Sequence, residues 1–191
     1  MTAPRIFGIA AVCFGLLTLA VITLDTTAVD VPVRDALLAH ASPGLLAAMH
    51  VINRAGSWKV LLPATVLLVL AVPRARARWW LWIGLMLVAP ATEGLLKTIV
   101  GRPRPEDLSM GFPSGHATAA TAFFGALIHL AQGLPRPARR IVSVVAVLVI
   151  VLVAVARVTL RAHWPTDAAG GIALGAALAS AAALIDRRRA S

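Results

Sequence analysis

Two stretches of this sequence hold residues of the right type and spacing for chemistry. The first, Gly111-Phe112-Pro113-Ser114-Gly115-His116, is a polar, turn-forming hexapeptide between long apolar segments. Pro113, Ser114 and Gly115 fit poorly inside a continuing helix, whereas Ala117-Thr118-Ala119-Ala120 is a good helix former. The hexapeptide therefore reads as the opening turn of a helix, with Ser114 at the N-cap. Such a terminus presents unpaired backbone N–H groups and a partial positive charge, which suit phosphate or another oxyanion. His116, in the first turn, is placed to donate or accept a proton. The second stretch runs from Arg157 through Arg161 and His163 to Asp167. Here Thr166 is the expected N-cap of a following helix, Asp167 falls in its first turn, and Pro165 keeps His163 outside it. A carboxylate four residues after a histidine, across such a turn, can accept from one ring nitrogen and leave the other as a nucleophile. Taken singly, each stretch is equally an ordinary helix start beside a histidine.

A third group of charges lies just upstream. Glu93 and Lys97 are four residues apart and share a helical face within an apolar run. Ionisable groups at that depth face a partner or a wet cavity. Either the two neutralise each other, or Lys97, near the helix end, points at an anion while Glu93, one turn deeper, orients it. Gly101 ends the helix, and Arg102-Pro103-Arg104-Pro105 leads out as a stiff, extended segment. Glu106 and Asp107 read as solvated loop charges. His40 and His50 have no acidic partner at helical spacing and read as surface or packing histidines, and His129, far along its helix from His116, receives no role. Trp164 reads as an interfacial anchor.

The elements that must position these groups are membrane helices. Of 191 residues, 59% are apolar, and they come in long runs, not in amphipathic stripes. Spans are expected at about 6–24, 57–72, 79–100, 117–134, 141–160 and 168–185, each judged against roughly 30 Å of hydrocarbon. The fold class is all-α: an integral-membrane six-helix bundle forming a single domain over residues 1–191, with a catalytic core at about 93–170. The second and fifth runs are short, so a five-span arrangement is the competing one. The first run is longer than a signal-peptide core and lacks a small-x-small cleavage site, so it reads as a retained span. The lone Cys13 inside it rules out a disulfide framework within the chain and a thiolate metal site. Between spans one and two, Asp30 ahead of Pro32 and Ser42 ahead of Pro43 each look like an N-cap opening a short interfacial helix. Gly171, Gly175 and Ala179 form a close-packing face, within the bundle or between chains.

The formal charge is +10, but its distribution speaks for orientation and not for nucleic acid. Arg5, then Arg74, Arg76 and Arg78, then Arg136, Arg139 and Arg140, then Arg187, Arg188 and Arg189 all fall on one side of the six-span arrangement. By the positive-inside rule that side is cytoplasmic, and both termini with it. Lys97, Arg102, Arg104, His116, Arg157, Arg161, His163 and Asp167 fall on the other side, against the trend. Cations at several helix ends, a helix N-terminus and two histidines on one face describe a phosphate pocket with a nucleophile and an acid.

These residues resemble a known family. Lys97 followed after six residues by Arg104-Pro105, then Pro113-Ser114-Gly115-His116, then Arg157, His163 and Asp167 at intervals of five and three residues, look like the three motifs of the type 2 phosphatidic acid phosphatases. The resemblance covers about residues 50–185, with one departure: Ala156 stands where a serine is common, removing one hydroxyl from the pocket edge. It implies that Lys97, Arg104 and Arg157, with Ser114 and the Gly115 N–H, hold the phosphate oxygens. It further implies that His163, oriented by Asp167, attacks phosphorus to form a phosphohistidine, and that His116 protonates the leaving group. Glu93, Arg102 and Arg161 are possible auxiliaries, the two arginines being either extra phosphate contacts or interfacial snorkellers. No cofactor or metal is expected, since guanidinium and ammonium groups take the place of metal ions. A bell-shaped pH profile follows from the opposite protonation demands of the two histidines. The expected substrate is a lipid phosphate or pyrophosphate: undecaprenyl pyrophosphate, phosphatidic acid or phosphatidylglycerol phosphate. The expected setting is a bacterial plasma membrane, with membrane lipids as further partners and the pocket on the extracytoplasmic face. A lipid phosphotransferase and a non-catalytic lipid-phosphate binding or translocating protein are the alternatives, and the oligomeric state is open.

Overall fold

A computed structural model describes residues 2 to 188, so Arg189 of the C-terminal arginine cluster lies outside the described residues. The described chain is all-helical: α1 (Ala3–Thr23), α2 (Thr27–Leu38), α3 (Pro43–Arg54), α4 (Trp58–Ala71), α5 (Pro73–Arg76), α6 (Trp79–Val100), α7 (Gly115–Leu130), α8 (Arg136–Thr159) and α9 (Pro165–Arg188). Four of these, α1, α6, α8 and α9, are long and apolar enough to cross a membrane. The α4 helix has 14 residues and α7 has 16, so both are shorter. The fifth apolar run is not short: α8 has 24 residues and opens at Arg136, because Pro137 is tolerated in a first turn, where its missing N–H costs nothing.

The α7 helix is the centre of the bundle, packed against α4, α6, α8 and α9. Its seam with α9 is made of small residues. A Cβ on Gly171 would lie 2.5 Å from the Ser114 carbonyl oxygen, and one on Gly175 would lie 2.5 Å from that of Thr118. Ala179 meets Gly125 in the same way, so the glycine face of α9 packs within the chain. Outside, Leu16, Leu67, Leu95 and Val144 are each more than half exposed, an outward apolar surface that suits hydrocarbon.

The bent pair α2–α3, with 116° between its helices, rests on α8 and α9 at the end that carries the motifs. Ser42 caps α3 as expected, its hydroxyl accepting from the Leu45 N–H at 3.2 Å. Asp30 does not cap α2. The helix begins earlier, where Asp25 takes the Thr27 N–H at 3.0 Å, and Asp30 is left in the first turn, wholly buried. At the opposite end, Asp186 accepts from His129 Nε2 at 2.8 Å and pairs with Arg74 and Arg78, so His129 ties α7 to α9 and the α5–α6 corner.

Candidate active site

The site is built where three chain turns meet. Gly101 closes α6 in the left-handed conformation, at φ +64°, and sends the chain into the Arg102–Pro105 segment. That segment folds back on itself: Arg104 N–H donates to the Ser109 carbonyl at 3.0 Å and Gly111 N–H to that of Arg102 at 2.7 Å. The hexapeptide then enters α7 with Phe112, Pro113 and Ser114 fully buried, and a cis bond joins Phe112 to Pro113. Ser114 holds the N-cap position, but its hydroxyl makes no capping bond; it is buried with no hydrogen-bond partner among the described residues. Its N–H donates to the Asp167 carbonyl at 2.9 Å, which locks the start of α7 to the start of α9.

The third turn ends α8. Arg161 adopts φ +56°, rare for a residue with a side chain, and the N–H groups of Ala162 and His163 both return to the Arg157 carbonyl, at 3.0 and 3.2 Å. This tight turn sets His163 beside Arg157. Helix α9 opens at Pro165, two residues earlier than a Thr166 cap would require. Asp167, in the third helical position, reaches back to the Trp164 N–H at 3.0 Å and does the capping itself. The same Oδ2 lies 3.4 Å from His163 Nδ1. A carboxylate there selects the tautomer with Nδ1–H and leaves Nε2 with its lone pair.

One cavity of about 370 Å³ is lined by Glu93, Lys97, Arg104, Gly115, His116, Arg157 and His163, together with Gly56, Trp58, Pro90 and Ala119. Glu93 and Lys97 form an ion pair and line the cavity together, so pairing and facing the pocket are not alternatives. Gly115 matters for this contact: a Cβ there would lie 2.9 Å from Glu93 Oε1. Arg157 is buried; its Nη1 donates to Asn53 Oδ1 at 3.0 Å and its Nε has no partner among the described residues. Ser114 Oγ and Arg157 Nε are thus two buried donors without an acceptor among the described residues, and burying a donor unpaired is costly. Burial pushes His163 down to about 4, against the opposing pull of the Asp167 hydrogen bond, so its imidazole is neutral near pH 7.

Two expected auxiliaries are not in the pocket. Arg102 is neither a phosphate contact nor a snorkeller: Nη1 donates to Thr166 Oγ1 at 2.6 Å and Asp167 Oδ1 at 2.8 Å, while Nη2 donates to Thr26 Oγ1 at 2.8 Å and Asp30 Oδ2 at 2.5 Å. Two carboxylates outbid any external anion for this guanidinium. Arg161 points outward and pairs with the exposed Glu106 at 3.0 Å, so its contribution is its backbone turn. Trp164 is more than an anchor: its Nε1–H donates to the Pro103 carbonyl at 3.2 Å, and Arg34 and Arg102 stack on its ring at 5.0 and 5.6 Å. Sequence reasoning missed Asn53, Trp58 and Asp30. Asp30 alone left a signal, as one of only eight acidic residues in the chain.

A model of the PAP2 superfamily matches residues 78–190. The chain belongs to that superfamily. Among curated relatives, it is 34% identical over 163 residues to a decaprenylphosphoryl-5-phosphoribose phosphatase of Mycobacterium tuberculosis, covering 78% of this chain and 84% of that one. It is 30% identical over 176 residues to phosphatidylglycerophosphatase B of Bacillus subtilis, covering 85% of each. Among solved structures, the transmembrane PAP2 type phosphatidylglycerolphosphate phosphatase of Bacillus subtilis superposes with a TM-score of 0.85 at 26% identity, over 95% of this chain and 96% of that one. The LpxE of Aquifex aeolicus shares the fold, with a TM-score of 0.64 at 19% identity, over 84% of this chain and 95% of that one. This PAP2 chain is a membrane lipid phosphatase, from a superfamily whose phosphatases act without a metal ion.

Proposed function

We propose that the chain hydrolyses a terminal phosphate from a lipid headgroup through a phosphohistidine on His163. What carries this reading is the single cavity shared by the two histidines and by Lys97, Arg104 and Arg157. The three cations, the Ser114 hydroxyl and the Gly115 N–H hold the non-bridging oxygens and stabilise charge in the trigonal-bipyramidal transition state. His163 Nε2 attacks phosphorus as the bond to the leaving oxygen breaks, His116 gives that oxygen a proton, and Asp167 holds the Nδ1 proton of the imidazolium that forms. Water then attacks the phosphohistidine, returning a proton to His116 and freeing phosphate. Positioned cations supply most of what phosphoryl transfer needs, and this pocket is made mainly of them.

The substrate is a lipid with its phosphate at the far end of a polar headgroup. Support comes from two relatives named for lipids that end in phosphoribose and in glycerophosphate. This favours a phosphomonoester on a sugar or polyol over undecaprenyl pyrophosphate. We further propose six spans, α1, α4, α6, α7, α8 and α9, in a bacterial plasma membrane with the pocket on the extracytoplasmic face. The arginine clusters at the opposite end support that orientation. The short α7 is compatible with a span, because it starts inside the bundle at the buried hexapeptide and not at the membrane surface.

The test is phosphate release by purified protein in detergent with EDTA, from phosphatidylglycerol phosphate, a polyprenylphosphoryl phosphoribose, phosphatidic acid and undecaprenyl pyrophosphate side by side. Release from the first two that exceeds the others and falls at least about a thousandfold in His163→Ala is expected. Release unaffected by His163→Ala would sink the phosphohistidine. Label transferred to a second lipid instead of water would make the protein a transferase.

A further inference from the structure

The buried ionic network behind Asp167 is larger than orientation of one histidine requires. Asp30, fully buried in the first turn of α2, accepts from the Thr166 N–H and the Thr166 hydroxyl, each at 2.8 Å, and from Arg102 Nη2 at 2.5 Å. Arg102 passes its other nitrogen to Asp167 Oδ1 at 2.8 Å, and Asp167 Oδ2 faces His163 Nδ1. The four groups form a row of alternating charge, carboxylate–guanidinium–carboxylate–imidazole, in which each inner group is held from both sides. Only the last touches the cavity.

Burying three charges is costly unless each is paired and its hydrogen-bonding capacity filled. Here that condition is met at both Arg102 nitrogens and both Asp30 oxygens. A lone Arg102 against Asp167 would neutralise the carboxylate that the histidine needs. The second carboxylate, Asp30, offsets that pull and fixes the guanidinium plane as well. We propose that Asp30, acting through Arg102, is a positioning residue for the Asp167–His163 pair, and that it couples the α2 helix to the reacting imidazole. The inference rests on the reading of His163 as the nucleophile.

The electrostatic consequence has a sign. His163 is faced by His116 from α7, Arg157 from α8, Arg104 and Lys97 with its partner Glu93 from the α6 end, and Asp167 from α9. Removing the Asp30 charge leaves the Arg102 charge less balanced and disfavours imidazolium, so the acid limb of kcat/KM moves to lower pH. Removing the Arg102 charge leaves two carboxylates and moves the limb to higher pH. A network that merely held the fold would lower activity without moving the limb in opposite directions.

The experiment measures kcat, KM and the acid limb for Asp30→Asn, Arg102→Gln, the double variant and Arg102→Lys, each first checked by gel filtration and thermal melting, with phosphatidylglycerol phosphate as substrate. We expect kcat to fall about tenfold in each single variant with KM within about twofold. The limb should shift by about half a pH unit or more, down for Asp30→Asn and up for Arg102→Gln, and return toward wild type in the double variant. Arg102→Lys keeps the charge and loses the fork, so it should lose kcat with its limb unmoved, and if one neutralising variant does not fold, the limb of the other against that of Arg102→Lys carries the test. A folded Asp30→Asn or Arg102→Gln with wild-type kcat, or with a limb that does not move, would overturn the proposal. His163→Ala is run alongside: if it keeps activity, the nucleophile assignment fails instead, whatever the Asp30 variants do.

Discussion

The pocket's residues have unequal freedom, and their environments say which way each will respond. His163 is driven down to about 4, chiefly by burial and further by Arg157, while Asp167 pulls the other way. Its ordinary value is 6.5, so between 6.5 and about 4 the unfolded chain holds a proton that the folded protein refuses. Stability therefore falls as pH drops through that window, and so does the neutral, nucleophilic fraction as the lower end is approached. A titration of kcat/KM should place the acid limb below 6.5, and a limb at or above it would contradict burial as the dominant influence. Ser114→Ala removes a hydroxyl that bonds nothing among the described residues, so it should spare the melting temperature and lower kcat by about tenfold or more. Arg161→Gly should spare both: its side chain is exposed and its φ of +56° is one that glycine adopts freely, so activity should stay within about twofold.

At the level of elements, the α7–α9 seam decides whether the motifs meet. The α7 N-terminus carries Ser114 and His116, the α9 N-terminus carries Asp167, and the Ser114 N–H bond to the Asp167 carbonyl joins them. Below that joint, Gly171 and Gly175 let the helices approach closely enough to keep it in register. Gly175→Val would drive a Cβ to 2.5 Å from the Thr118 carbonyl oxygen, and should cost about 1–3 kcal/mol of stability with a matching loss of activity. Gly84→Ala is the control, since a Cβ at Gly84 meets nothing within 4 Å. Its melting temperature in detergent should be unchanged or higher, because alanine is the better helix former.

The whole molecule has two chemically different ends. One gathers the pocket and the α2–α3 cover. The other gathers the buried His129 and Asp186 with the more exposed Arg74 and Arg78 in a structural cluster. In a six-span arrangement the ends face opposite sides of the membrane, which single cysteines can report in a Cys13→Ala background. Leu108→Cys, at a site 94% exposed on the pocket end, should react with an impermeant maleimide in intact cells, and Leu134→Cys should react only after lysis. The reverse pattern would invert the orientation argued from the arginine clusters.

The chain alone determined its all-helical membrane class and the motif residues proposed for catalysis, because both are written locally. Apolar runs of span length leave little choice of fold, and Lys97, Arg104, Ser114, His116, Arg157, His163 and Asp167 stand in motifs whose spacing is their meaning. Gly101 as the α6 terminus and Ser42 as the α3 cap were legible for the same reason: each acts on neighbours within a turn. Only the tertiary structure decided what Arg102, Arg161, Asp30 and Asn53 do. An arginine beside a phosphate motif looks the same in sequence whether it meets a phosphate or two buried carboxylates. Asp30 lies 136 residues from Thr166 and 72 from Arg102, so no local rule connects them. Helix starts were misjudged at Asp30 and Thr166 because each helix begins further upstream, where Asp25 takes the Thr27 N–H and Asp167 the Trp164 N–H. Asp30 and Thr166 bond to each other instead, through the Thr166 N–H and hydroxyl, a partnership across the fold that only packing can set.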